Sequence, residues 1–129
     1  MSQVKIYGLK QHLGPAIPKI SDVIHSCVVD ALQYPRDKRA HRFFQLDESE
    51  FFYPAGRSPR YTILEFSMFE GRSVEAKKGL IRLLFERFQS ELGISSMDLE
   101  ITIFETPACN WGFRGLPGDE HVLNYKVEV

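Results

Sequence analysis

The chain has 129 residues, 43% of them hydrophobic and 26% charged, with 16 basic against 17 acidic side chains and a net charge of -1. This composition suits a single soluble globular domain over residues 1–129 and excludes collagen-like, mucin-like and disordered classes. Balanced charge leaves no basic field able to hold a phosphate backbone, which argues against a nucleic-acid partner.

No apolar run approaches the roughly 20 residues of a membrane helix. The stretch from Met1 to Lys10 lacks a signal peptide's apolar block. A cytoplasmic protein without a membrane partner is therefore expected. Its two cysteines, Cys27 and Cys109, have no paired spacing and read as free thiols.

Sliding the chain against itself by 60 positions brings apolar residues into register without a gap. Val4 meets Leu64, Ile6 meets Phe66, Ile24 meets Leu84, Val28 meets Phe88, and Phe43-Phe44 meet Ile103-Phe104. Each half reads strand, helix, strand. In the first, about 2–46, Val4 to Tyr7 alternates like a half-buried strand, and Ile20, Ile24, Cys27, Val28, Ala31 and Leu32 recur at helical spacing. Pro15 and Pro18 suit the start of that helix, and the Tyr34-Pro35 step ends it.

Residues Arg36 to Arg39 follow as a mixed charge cluster, read as a solvated turn. The connection from Gln45 to Arg60, with Pro54, Gly56 and Pro59, has room for a short hairpin.

The second half, about 61–105, repeats the pattern. Tyr61 to Phe69 is rich in strand formers, and Ser73 can cap a helix carrying Leu80, Leu84, Phe88 and Leu92. Gly93 supplies the stop, and Leu99, Ile101 and Ile103 alternate with polar residues.

Two right-handed βαβ units make an α/β (α+β) fold, a four-stranded sheet with both helices on one face. The other face is left bare and partly apolar, so association through it is expected. In the C-terminal segment 106–129, Leu123, Tyr125, Val127 and Val129 alternate like an edge strand available to another subunit.

Three features carry chemical interest. Gly71-Arg72-Ser73 lies between a strand and a helix, where free N–H groups, a dipole end and a guanidinium can converge on a carboxylate or phosphate. The same tripeptide also makes an ordinary helix cap with an exposed arginine. In the 60-residue register His12 matches Arg72. The loop from Asn110 to Asp119 holds the single Trp, Trp111, either a wall over a small ligand or an anchor on the core, and Arg114, either a ligand clamp or a surface charge. The four histidines show no metal-ligand spacing, so no metal is expected.

The stretch Glu-Gly-Arg-Ser-Val-Glu-Ala-Lys-Lys-Gly-Leu-Ile-Arg at 70–82, Gly-Ile-Ser at 93–95 and Asn-Trp-Gly-Phe at 110–113 resemble the tautomerase superfamily. The second half looks like a short 4-oxalocrotonate tautomerase. The whole chain is similar to long, duplicated members of the malonate semialdehyde decarboxylase type.

The resemblance implies a cofactor-independent homotrimer whose bare sheet faces line a central barrel. It also implies an N-terminal proline, exposed by loss of Met1, as the proton-transfer group, with an arginine at the Gly-Arg-Ser turn holding the substrate carboxylate. Arg72 and Trp111 carry over, but position 2 is Ser. Removal of Met1 would leave a primary amine, with an unperturbed pKa of about 7.7 to 8.0. That amine would be held neutral by nearby cations and burial, and could also form an imine with a carbonyl substrate.

The acidic position of the decarboxylase type falls at Lys38, with Asp37 one residue away, and its other arginine falls at Glu70. Glu100 stands where short members have a second arginine.

The expected activity is isomerisation of a small 2-keto or enol carboxylate. Ser2 and Arg72 are its catalytic groups, with Trp111, Arg114 and His12 on the substrate. The alternatives are a non-catalytic ligand-binding trimer that lost its base, and a decarboxylase or dehalogenase of the same superfamily.

Overall fold

In the computed structural model, which describes residues 2–121 and 127, the chain forms β1 (Ser2–Leu9), the one-turn helix α1 (Lys10–Leu13), α2 (Ile17–Leu32) and β2 (His41–Leu46). Then come β3 (Thr62–Phe69), α3 (Val74–Leu92), β4 (Leu99–Thr106) and a two-residue pair, β5 (Gly112–Phe113) and β6 (Leu116–Pro117). The sheet order is β2-β1-β3-β4. Both β1–β2 and β3–β4 are parallel, and β1 and β3 join the halves antiparallel, with Ser2 opposite Met68 and Tyr7 opposite Ile63.

β1 and β3 start 60 residues apart, have the same length and show the same alternation of buried and half-buried residues. Their inward sides, Val4 and Ile6 with Leu64, Phe66 and Met68, are closed by one face of each helix. Ile20, Ile24, Cys27, Val28 and Leu32 come from α2, and Leu80, Leu84 and Phe88 from α3. Burial pushes the Cys27 thiol up to about 11, and both cysteines are free.

Helix ends are set locally. The Ser73 hydroxyl accepts from the Ala76 N–H at 3.1 Å, the expected N-cap. Gly93, at φ +64°, stops α3 in a conformation that suits glycine. Arg60 then donates through both Nη atoms to the carbonyls of Leu92, the last residue of α3, at 2.8 Å and of the capping Gly93 at 2.9 Å. A cation at a helix C-terminus is favoured by the dipole as well. α2 ends differently: Gln33 takes the left-handed conformation, φ +53°, and the Tyr34 N–H donates back to the Val29 carbonyl at 3.3 Å.

The connection between the halves is not a hairpin. Asp47 and Glu50 form a capping box around a single 3-10 turn, Glu48–Glu50, and no strand forms among residues 47–61. Its order comes from side chains instead. Phe51, Tyr53 and Tyr61 group with ring centroids 5.6 to 6.0 Å apart, and the Asp98 carboxylate accepts from the Ser58 N–H at 2.7 Å and hydroxyl at 2.6 Å. Prolines and a glycine mark where a chain turns, not what the turn packs against, which is why a hairpin and this arrangement look alike in sequence.

The sheet face away from the helices carries Lys5, Tyr7, Glu65 and Thr102 in its middle, with the Tyr7 hydroxyl donating to Glu65 at 2.8 Å. Phe44 and Phe104, on the two outer strands, are 37% and 50% exposed. The edge strand expected over 123–129 lies outside the described residues apart from Val127.

Phe88 is fully buried between the helices and the sheet. Phe88→Ala should cost about 3–5 kcal/mol of stability, read as a lower urea midpoint at unchanged slope.

Candidate functional site

β1 runs past the first ladder residue of β2. Val4 lies opposite His41, its N–H donates to the Ala40 carbonyl at 2.9 Å, and Ser2 stands two residues earlier on the same edge. There the chain between α2 and β2 is turning, with the Lys38 N–H donating to the Pro35 carbonyl at 3.3 Å. The edge is filled instead by the Tyr34 side chain, whose hydroxyl oxygen accepts from the Ser2 backbone nitrogen at 3.1 Å. Ser2 and Tyr34 are both buried, and among the described residues the Ser2 hydroxyl has no hydrogen-bond partner.

A cleft of about 290 Å³ opens at this point, lined by Ser2, Tyr34, Asp37, Lys38, Arg39, Ala40, Phe113 and Arg114. Three cationic side chains and one carboxylate line it together with Ser2, Ala40 and two aromatic residues, Tyr34 and Phe113. Such a cleft favours an anion with an apolar body.

The turn that forms one wall is pinned to α2. The His25 imidazole bonds the Arg36 carbonyl at 2.8 Å, His41 bonds the Ser21 hydroxyl at 2.7 Å, and Arg39 pairs with Asp22 at 2.7 Å. Arg36 to Arg39 are mostly exposed, as a solvated turn would be, yet three of the four also line the cleft. Burial, helped by Arg39 and His25, pulls the His41 pKa down to about 4.

The opposite wall comes from the late loop. Arg114 and Gly115 both take positive φ, +49° and +81°, between β5 and β6, so the two-residue turn is of the I′ kind. The Phe113 ring stacks on His121 with centroids 4.3 Å apart and meets Phe69 at 6.0 Å. The Arg114 guanidinium lies over the Phe113 ring at 5.2 Å. Trp111 is set edge-on against Phe69 at 5.3 Å, and its carbonyl accepts from the Gly118 N–H at 2.7 Å. Gly118 is required here, because a Cβ would stand 2.5 Å from the Ala108 carbonyl oxygen.

The sequence-derived residues fall in three places. Ser2 and Arg114 share the cleft. Arg72, 4% exposed rather than at the surface, donates to the Phe69 carbonyl at 3.4 Å. Phe69 adjoins Met68, the partner of Ser2, so Arg72 lies at the same end of the sheet. Trp111 is at that end too, packed on Phe69. Neither Arg72 nor Trp111 is among the residues lining the cleft.

His12, in α1 after the far end of β1, is at the other end of the sheet, where burial and then Arg60 lower its pKa against an opposing pull from Asp98. The antiparallel β1–β3 join explains this, because equivalent turns of the two halves point in opposite directions.

Sequence reasoning treated Tyr34 only as a helix stop and quoted Phe113 in a motif without giving it a role; it set Lys38 and Asp37 beside the acidic position of the decarboxylase type but read their run as a solvated turn. Glu100, where short members have an arginine, is 3.4 Å from Arg57. Among the described residues, no three His, Cys, Asp or Glu side chains gather as a metal site would require, and no helix is long and apolar enough to cross a membrane.

Comparison with known proteins settles the family. A family model described as tautomerase enzyme matches residues 38–114, from Lys38 in the charged turn through β2, β3, α3 and β4 to Arg114 in the late loop. The probable tautomerase YrdN of Bacillus subtilis (strain 168) is 31% identical over 117 residues, covering 87% of this chain and 88% of its own. The chain belongs to the tautomerase family.

The fold agrees. Malonate semialdehyde decarboxylase superposes with a TM-score of 0.78 at 23% identity, over 86% of this chain and 89% of that one. A fused 4-OT wild-type asymmetric trimer superposes with a TM-score of 0.78 at 18% identity, over 91% and 96%.

Two outcomes follow. Gly118→Ala should lift the late loop from Phe69 and shift the emission of Trp111, the single Trp, to longer wavelength. Because His41 has a lowered folded pKa, the unfolded chain binds the extra proton between pH 6.5 and about 4, so stability should fall as pH is lowered through that window. His12, lowered in the same direction, adds to that slope, so His41→Gln should reduce it without abolishing it in urea titrations at pH 6.5 and 4.5. The lowered Asp47 carboxyl contributes only further into acid.

Proposed function

We propose that this tautomerase-family chain isomerises a small 2-keto or enol carboxylate without a cofactor, as a homotrimer. Removal of Met1 frees the Ser2 amine, which takes a proton from one carbon or oxygen of the substrate and returns it to another. Arg114 on the cleft wall holds the carboxylate, and Arg72, buried at the same end of the sheet but outside the cleft lining, adds positive charge that favours the developing enolate. Phe113, backed by Trp111, keeps water away from the reacting atoms. His12 has no part in this scheme within one protomer.

The observation that carries the proposal is Ser2, its nitrogen held by the Tyr34 hydroxyl, among the residues lining a cleft rich in cations. Desolvation and these positive neighbours both penalise an ammonium, so the neutral, proton-accepting amine is favoured. The trimer is supported by the exposed Phe44 and Phe104 on the bare sheet face and by the trimeric 4-OT relative.

One observation favours a second reading, a binding protein without the reaction. Ser stands where the resemblance calls for proline, and a primary amine on a freely rotating bond is a less well-aimed base.

The test combines intact mass with ketonisation of the enol form of phenylpyruvate. The main-chain nitrogen of residue 2 should be free, with Met1 absent from the mass. Arg114→Ala should lower kcat by about 10²–10³-fold, the loss typical of a removed oxyanion donor, and Arg72→Ala should lower it by less, because Arg72 acts from outside the cleft lining. Activity absent in the wild type but gained by Ser2→Pro would establish the binding protein instead. Light scattering at micromolar concentration should give three times the chain mass.

A further inference from the structure

The Tyr34 ring reaches the Ser2 nitrogen because of three local choices. Gln33 ends α2 in the left-handed conformation. Pro35 excludes the helical conformation for Tyr34. Beside the Lys38-to-Pro35 turn, no main-chain carbonyl among the described residues accepts from the Ser2 nitrogen. The hydroxyl oxygen therefore stands 3.1 Å from the nitrogen, in a buried position, where the next rung of the β1–β2 ladder would otherwise be.

A terminal amine differs from a peptide nitrogen in one way that matters here. It rotates about its N–Cα bond, so its lone pair has no fixed direction unless an N–H is held. Proline fixes that direction through its ring.

We propose that Tyr34 is the positioning residue of the Ser2 amine: its hydroxyl holds one N–H and thereby aims the lone pair into the cleft, the task a proline ring would perform covalently. This rests on the Ser2-amine reading above. After the amine gains a proton, the same contact becomes a charge-assisted hydrogen bond, which favours the ammonium form. Tyr34 thus sets both the aim of the base and its affinity for protons, without touching the substrate.

The experiment is a two-by-two set: wild type, Tyr34→Phe, Ser2→Pro and the double variant, each assayed for ketonisation of the enol form of phenylpyruvate across pH. In the Ser2 background, Tyr34→Phe should lower kcat roughly tenfold with KM little changed. It should also move the acidic limb of the pH profile to lower pH, because the ammonium form loses its acceptor. In the Ser2→Pro background the ring already fixes the nitrogen, so the same substitution should change kcat by less than about twofold.

Equal losses in both backgrounds would overturn the proposal and leave Tyr34 a packing residue. A readout independent of turnover is the titration of the Ser2 amine by ¹⁵N chemical shift. A lower amine pKa in Tyr34→Phe supports the assignment even if the wild type proves inactive, an outcome that would sink the isomerase reading alone. An unchanged amine pKa overturns the role of Tyr34 while leaving that reading intact. A mass that retains Met1 overturns both.

Discussion

The antiparallel join of β1 to β3 governs the rest of the molecule. It sets Ser2 opposite Met68, so the beginning of the first strand and the end of the third meet at one end of the sheet. Every group of chemical interest at that end depends on this register. The Arg72 turn follows β3, the late loop docks on Phe69, and the α2–β2 turn returns beside Ser2. A slip by one residue would exchange the inward Val4, Ile6, Leu64 and Phe66 for Lys5, Tyr7, Ile63 and Glu65. The core thus enforces the site's geometry: the burial that makes the sheet pack also fixes which residue of β1 stands at the cleft.

Around that nitrogen the chain uses weak, local devices. A left-handed residue ends one helix, a proline stiffens the exit, and two histidines with an arginine tie the turn to α2. The loop opposite is held by ring contacts among Phe69, Trp111, Phe113 and His121 and by a glycine that lets two backbone segments approach closely. Each contributes modestly, yet all act on one cleft. Trp111 acts here as a brace, with its ring on Phe69, while its neighbour Phe113 presents a ring to the open space.

Periodicity made the fold readable. The 60-residue register, the α2 and α3 stripes, the Ser73 cap and the Gly93 stop are one-dimensional signals with direct structural meaning, and the topology follows from the handedness of βαβ units. The site was legible only in part. Ser2, Arg72 and the 110–119 loop stand out by residue type. Tyr34 does not, because nothing in a Tyr-Pro step says that the ring will reach back 32 positions to a strand edge. The charged run at 36–39 looks the same whether it faces bulk water or a cleft mouth. His12 shows the complementary difficulty: equivalence in a repeat is not proximity, since the two halves are related by a rotation.

That rotation gives the sheet two ends of one plan, and they are filled differently. One gathers Ser2, Tyr34, Arg72 and Arg114. The other is occupied by Arg60 clamping α3, Asp98 holding Ser58, and the Phe51–Tyr53–Tyr61 group. The packed end closes the framework, and the open end holds the cleft with room for a small molecule.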